Sequence, residues 1–244
     1  MHSLEHRVLA YIKEHQLIEN GEKLLIACSG GVDSMALLSF FHHFQSYFQI
    51  ELAVAHVDHM LRGEQSAEDC EFVEETCKTW GIPFYSCAIP IAEIQQRDGG
   101  NIQAICRQER YRYFEEVMDA HKCTKLVTAH HADDQLDSML MALTKASSLN
   151  GLKGILPIRK FYDYTVIRPF LMVTKHEIGE YLHSKSILYR EDPSNAKNDY
   201  TRNRFRHHVV PILKEENPLV SQHAVQIAQQ LTEDDSYLMD LAKV

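Results

Sequence analysis

Four short apolar runs punctuate the first half of the chain: KLLIACS (23–29), ELAVAHV (51–57), IPFYSCAI (82–89) and TKLVTAH (124–130). Between them, residues 34–48, 66–80, 101–120 and 133–145 carry apolar positions at three- and four-residue spacing. Short runs of this kind read as buried strands and the longer periodic segments as helices. Their alternation predicts repeated βαβ units, hence an α/β fold: a doubly wound, mostly parallel, Rossmann-like sheet with helices on both faces. The first 20 residues read as one short amphipathic helix.

From about residue 150 the pattern changes. GLKGILPIRK and DYTVIRPF predict a hairpin or loop pair, followed by a helix from Thr174 to about His183. A polar, basic stretch, YREDPSNAKNDYTRNRFRHHVVPIL, comes next, and after Pro218 the residues Val220, Ala224, Ile227 and Leu231 recur at helical spacing. The expected organisation is a main domain over residues 1–215 and a C-terminal helical extension over 216–244. The apolar stripe of that extension wants a partner, either a continuation of the chain or a second copy in a homodimer.

The chain has 244 residues, 45% of them hydrophobic, enough for one substantial core. No stretch approaches the roughly 20 apolar residues that a membrane span requires. The N-terminus mixes charges into its apolar positions and does not read as a signal peptide, so a cytoplasmic address is expected. Six cysteines at 28, 70, 77, 87, 106 and 123 include no C-x-x-C pair, which offers neither a zinc nor an iron–sulfur site and predicts free thiols. The net charge of −9 argues against a uniformly basic nucleic-acid binder. A local basic face remains available, because Lys197, Arg202, Arg204 and Arg206 crowd into one segment.

The most informative residues are Ser29, Gly30, Gly31, Val32, Asp33 and Ser34, directly after the first strand and before an apolar helix. Two glycines let the backbone turn sharply and approach a ligand. A helix starting there points free N–H groups and a positive dipole end at an anion. Ser29 and Ser34 can add hydroxyl donors. Asp33 would repel a phosphate unless a cation lay between them, which points to Mg²⁺. A Walker-type loop is excluded, since no G-x-x-x-x-G-K-[ST] occurs anywhere in the sequence.

Three more clusters follow predicted strand ends or open predicted helices. In HVDHMLR, Asp58 lies between His56 and His59 with Arg62 one turn on, a group suited to a base, a ribose or a cation-held carboxylate. In NIQAICRQERYRYF, Gln103, Arg107 and Arg110 fall on one helical face, and two arginines a turn apart invite an anion. Ala104, Tyr111, Phe114 and Met118 form the opposite, apolar side. In AHHADDQLDS, Asp133, Asp134 and Asp137 put three carboxylates into five residues at a helix start, where Mg²⁺ or an ammonium group would relieve their repulsion. Leu136, Met139, Leu140 and Leu143 make the buried stripe of that helix.

The SGGVDS loop resembles that of the N-type ATP pyrophosphatases, the PP-loop superfamily. Within it, HVDHMLR, NIQAICRQERYRYF, AHHADDQLDS, SLNGLKGI, IRPFL and EDPSNAKNDYTRNRFRHHVVPIL together resemble the tRNA(Ile)-lysidine synthetase family, over residues 20 to about 215. The resemblance implies a carbon–nitrogen ligase that uses ATP and Mg²⁺ and acts on the wobble cytidine of an isoleucine tRNA with a CAU anticodon. The cytidine O2 attacks the α-phosphate, pyrophosphate leaves, and the ε-amino group of L-lysine displaces AMP. It implies catalytic roles for Asp33, Asp58, Arg107, Arg110, Asp133, Asp134 and Asp137, metal binding by Asp33 and Asp134, ATP binding by residues 29–34, and tRNA contacts from Lys197, Arg202, Arg204 and Arg206. Family members usually continue into further C-terminal domains. The sequence departs from the family pattern at Ala142, Lys145 and Ala146, and at Asp137–Ser138, where glutamate–threonine is common. The alternatives are a tRNA thiolase of the same superfamily and a non-enzymatic ATP-binding module.

Overall fold

Lys23–Ala27 (β1), Glu51–Asp58 (β2), Phe84–Ala88 (β3), Lys125–Val127 (β4), Ile158–Phe161 (β5) and Tyr164–Ile167 (β6) form one six-stranded sheet in the order β3-β2-β1-β4-β6-β5. All neighbours are parallel except the β5–β6 hairpin at one edge. The computed structural model describes residues 2–145, 148–191 and 201–242. β1 lies inside the sheet with both faces covered, which is why Leu24, Leu25 and Ile26 are all fully buried rather than alternating with polar residues.

The helices are Ser3–Glu14 (α1), Val32–Phe48 (α2), Glu64–Trp80 (α3), Ile91–Asp98 (α4), Ile102–His121 (α5), Ala132–Thr144 (α6), Leu149–Leu152 (α7), Lys175–Ser184 (α8), Thr201–Arg204 (α9), Val210–Glu216 (α10) and Val220–Leu241 (α11). A π-helical turn, Phe205–Val209, joins α9 to α10. On one face of the sheet, Leu24, Ile26 and Val54 pack with α1, α2, α3 and α8 through residues such as Val8, Phe40, Phe41, Val73 and Tyr181. On the other, Leu25, Ala53, Ala55, Leu126 and Val166 are covered by Tyr111, Phe114, Val117 and Met118 of α5. The βαβ layout expected from the apolar pattern is therefore present.

Several details differ from the sequence expectations. Ile91–Asp98 is helical although Pro90 and the polar QQRD end hide its short apolar face. β4 stops at Val127, and one further residue, Thr128, still donates its N–H to Ile167 O (3.1 Å) before the chain turns into α6. Leu149–Leu152 makes a single helical turn instead of a hairpin arm. Ala104 is exposed, because the inward face of α5 begins only at Tyr111. In α6, Leu143 is 65% exposed and Ala142 takes the inward position. In α11 the inward face is Ser221, Ala224, Val225 and Ala228, while Ile227 points outward; small residues let α11 approach α6 closely.

The docking of α8, α10 and α11 converges on the start of α6. Leu136 of α6, Val210 of α10 and Ala224 of α11 form a small apolar core. Beside it, Asp133 accepts hydrogen bonds from the Lys175 backbone N–H and the Ser221 hydroxyl (2.8 Å each) and pairs with Lys214. Burial opposes ionisation of Asp133, but these donors and the Lys214 charge hold its pKa below the usual carboxylate range. Four elements thus share one carboxylate. Replacing Asp133 by Ala strands the buried Ser221 hydroxyl and the Lys175 N–H at a cost of about 2 kcal/mol. The expected result is a melting temperature lowered by roughly 4–8 °C in thermal denaturation; an unchanged melting curve would contradict the hub.

Candidate active site

At the carboxyl edge of the sheet, the turn from β1 to α2 is braced by polar residues on several elements. His56, 4% exposed, donates to the Cys28 carbonyl (2.9 Å) and ties β2 to the start of the loop. Gly30 adopts φ +85°, and a Cβ there would come within 3.3 Å of Val73, so only glycine fits. Gly31 caps α2 with no side-chain bond to its first N–H groups. Those donors and the positive end of the helix dipole are left facing the crevice, as an anion site requires. The Ser34 hydroxyl, only 6% exposed, accepts from Ser29 N–H and donates to Gly31 O (3.1 Å each), so it braces the turn from within. Arg190 N–H donates to Gly30 O (2.9 Å), strapping a distant segment across the loop. Asp69 holds that strap and the HVDHMLR loop together, accepting from Arg190 (3.2 Å) and Arg62 (2.9 Å).

Across the crevice stands the N-terminus of α6, where the Asp134 carboxylate accepts the backbone N–H of His131 (3.1 Å). His131 is 2% exposed, and its Nε2 lies 3.7 Å from Asp33 and 3.5 Å from Asp134. The structure therefore brings Asp33 and Asp134 to the same nitrogen of one imidazole. Asp33 Oδ2 is 3.8 Å from the Lys175 ammonium, while its Oδ1 is buried with no hydrogen-bond partner. Arg206 bridges Asp134 (2.9 Å) and Asp137 (2.7 Å), and Arg202 Nε is 3.6 Å from Asp137. Burial alone would raise the Asp134 pKa; His131, His130 and the two arginines outweigh it and hold this carboxyl well below its usual range. For Asp137 burial wins over Arg206 and the pKa is raised. Its Oδ1 has no partner. A cavity of about 490 Å³ opens beside it, lined by His131, Asp133, Asp137, Lys175, Arg206 and Lys214 among others.

Other expected site residues lie apart from this centre. Asp58 ends β2 and accepts from Met60 N–H (2.7 Å), closing a tight turn. With β1 between β2 and β4, it is separated from the α6 carboxylates by two strand spacings, roughly 10 Å. The Arg110 charge acts on His59, whose pKa is pushed down to about 4 by burial first and then by this charge. Arg107 stacks over the Tyr111 ring at 4.8 Å. Of the expected basic face, Arg202 and Arg206 point to the aspartates of α6, and Arg204 bonds Thr201 (3.3 Å). Lys197 and Ala146 lie outside the described residues.

His131, Lys175 and Arg190 were not singled out in the sequence. His131 was legible as the second of two histidines just before the acidic helix, and Lys175 follows the Thr174–Glu177 capping box. Arg190 had no local signal, because its role is a tertiary contact. Among the described residues, no three His, Cys, Asp or Glu side chains group as a self-sufficient metal site. No helix among the described residues is long and apolar enough to cross a membrane.

Comparison with known proteins agrees with this geometry. The model of the PP-loop domain family matches residues 1–213. The chain is 42% identical over 233 residues to a tRNA(Ile)-lysidine synthase of Bacillus subtilis (strain 168), covering 96% of this chain and 49% of the relative. It is 40% identical over 236 residues to a tRNA(Ile)-lysidine synthase of Geobacillus kaustophilus (strain HTA426), covering 97% and 51%. The chain thus spans about half the length of the curated relatives it matches. Among solved structures, it is similar to the U34-tRNA thiolase NcsA from Methanococcus maripaludis with its [4Fe-4S] cluster. That likeness has a TM-score of 0.76 at 16% identity over 94% of this chain and 78% of that one, and it concerns the fold. With the loop at the end of β1, the parallel sheet and the family match in agreement, the chain belongs to the PP-loop family.

Proposed function

We propose that this chain carries the catalytic centre of lysidine formation: ATP-dependent ligation of L-lysine to the wobble cytidine of tRNA(Ile) with a CAU anticodon. The observation that carries the reading is the apposition of two clusters. The open N-terminus of α2 faces the acidic start of α6, with Asp33 3.7 Å and Asp134 3.5 Å from His131 Nε2 between them. The curated relatives named tRNA(Ile)-lysidine synthase supply the reaction.

The residues have the properties the reaction needs. The loop 29–34 offers backbone N–H donors and a helix dipole to the pyrophosphate of ATP as negative charge builds there. The buried, unpartnered Oδ1 of Asp33 and the strongly ionised Asp134 fit a hard divalent cation, and these two would hold Mg²⁺. Bound there, the ion would supply charge neutralisation for the departing phosphates. Arg107 and Arg110 are suited to the α-phosphate and the adenylated cytidine, with Asp58 holding the adjacent turn. Asp137, whose Oδ1 has no partner, belongs to the lining of the 490 Å³ cavity, where an amino acid ammonium would find its carboxylate. Lys175 and Lys214 on the same wall suit its carboxylate. Asp133 positions this wall through its bonds to α8, α10 and α11. Lys197 and Arg204 are assigned to the tRNA side, and Arg202 and Arg206 to the aspartates they already join.

A thiolase reading shares the adenylation step and is separated by the nucleophile; an ATP-binding module would show no turnover. Incubation with ATP, Mg²⁺ and this tRNA is expected to release pyrophosphate, and Asp33→Ala to abolish that release while the fold persists by circular dichroism. Release in neither protein would sink the reading. Asp137→Asn, nearly isosteric, is expected to raise the KM for lysine by about 10–100-fold, as loss of a charged hydrogen bond implies. Pyrophosphate release without lysine should persist in this variant; an unchanged lysine KM would remove Asp137 from the amino acid site.

A further inference from the structure

Most arginines near the site are answered by carboxylates: Arg62 by Asp69, Arg190 by Asp69 and Glu68, Arg206 by Asp134 and Asp137. Arg107, Arg159 and Arg168 have no carboxylate partner among the described residues, and they gather in one place. In the β5–β6 hairpin, Arg159 stands opposite Val166. Cross-strand partners, and residues two apart on a strand, share a face of a sheet. Arg159, Val166 and Arg168 therefore all lie on the face that α5 covers, where Val166 packs in one core with Tyr111. The Phe161–Tyr111 ring contact at 4.6 Å fixes the same hairpin to α5, and Arg107 lies over that Tyr111 ring.

Arg168 occupies the carboxyl end of β6, the edge of a parallel sheet where ligands bind. It is only 4% exposed. One of its terminal nitrogens donates to Leu156 O at 2.6 Å, whereas its Nε is buried with no partner. Burial lowers its pKa; Tyr111 opposes this, and the charges of Arg159 and Arg107 add to it. The next group along the edge is His130, bonded to Thr128 at 2.9 Å and pushed down to about 4 by burial, despite Asp134. It is neutral near pH 7 and brings no counter-charge. A buried guanidinium with an unused donor and cationic neighbours is an incomplete ion pair.

We propose that Arg168, with Arg159 and Arg107, forms a phosphate-binding site at the carboxyl end of β6, separate from the loop at 29–34. β4 lies between β6 and β1, so the two sites are roughly 10 Å apart. Arginine forks match phosphate oxygens in a planar, two-bond geometry. The phosphate is either a phosphodiester of the RNA that presents the cytidine or a phosphoryl group of the nucleotide. This site rests on the proposed function, because RNA and nucleotide enter through it.

Binding of CAU-anticodon tRNA(Ile) across a salt series, and of ATP at fixed salt, tests the site in wild type, Arg168→Gln, Arg168→Lys and Arg159→Gln. Arg159 is exposed, so its variant keeps the fold. An RNA phosphate predicts that the slope of log binding constant against log salt shrinks by about one in both glutamine variants, with ATP affinity unchanged. Arg168→Lys should keep the slope yet bind more weakly. A nucleotide phosphate predicts loss of ATP affinity with the tRNA slope unchanged. If both glutamine variants match wild type in both arms, even with a lowered melting temperature for Arg168→Gln, Arg168 only ties down Leu156 and the proposal is overturned. A wild-type chain that binds neither tRNA nor ATP overturns the proposed function and this site together.

Discussion

Three carboxylates within five residues at the start of α6 set the central constraint of this molecule. Asp133 and Asp134 lie in the first turn and Asp137 one turn on, each no more than 15% exposed in its side chain. The helix dipole relieves part of their repulsion, but three buried like charges also need cations close by. The chain supplies these from distant segments: Arg202 from α9, Arg206 from the π-helical turn and Lys214 from α10. The C-terminal third of the molecule is held in place largely by answering this cluster. A π-helical turn is a frequent mark of functional geometry, and here it carries the arginine that bridges two of the aspartates.

The opposite wall is built on the contrary principle. At the β1–α2 turn, positive potential comes from backbone N–H groups with no capping side chain, and the serine hydroxyls are spent on bracing the turn. The strap through Arg190 and the bond from His56 fix the loop from both sides. An electropositive cradle and an electronegative helix start face each other across His131, a polarised crevice suited to a phosphorylated substrate on one side and a cation on the other.

The sheet and its main helices were legible because apolar runs of strand length alternate with segments of helical period, and burial on both faces leaves little ambiguity. The SGGVDS loop was legible for the same reason: Gly30 and Gly31 sit where strand gives way to helix. What stayed hidden was tertiary. Nothing local marks Arg190 as the strap of the loop or Ser221 as a donor to Asp133, since their partners lie 160 and 88 residues away. The α11 face was misjudged because Ile227 looks like a core residue, whereas close helix packing selects Ser221, Ala224 and Ala228. Arg202 and Arg206 read as a basic surface by composition, and only the fold reveals that they neutralise α6.

The most direct test is the mass of the modified nucleoside in CAU-anticodon tRNA(Ile) after incubation with the protein, ATP, Mg²⁺ and isotopically labelled lysine. The account predicts a cytidine carrying one labelled lysine joined through its ε-nitrogen, dependent on ATP. Pyrophosphate release accompanied by no lysine on the tRNA would contradict it, and a sulfur-substituted base formed with a sulfur donor would place the chain with the thiolases.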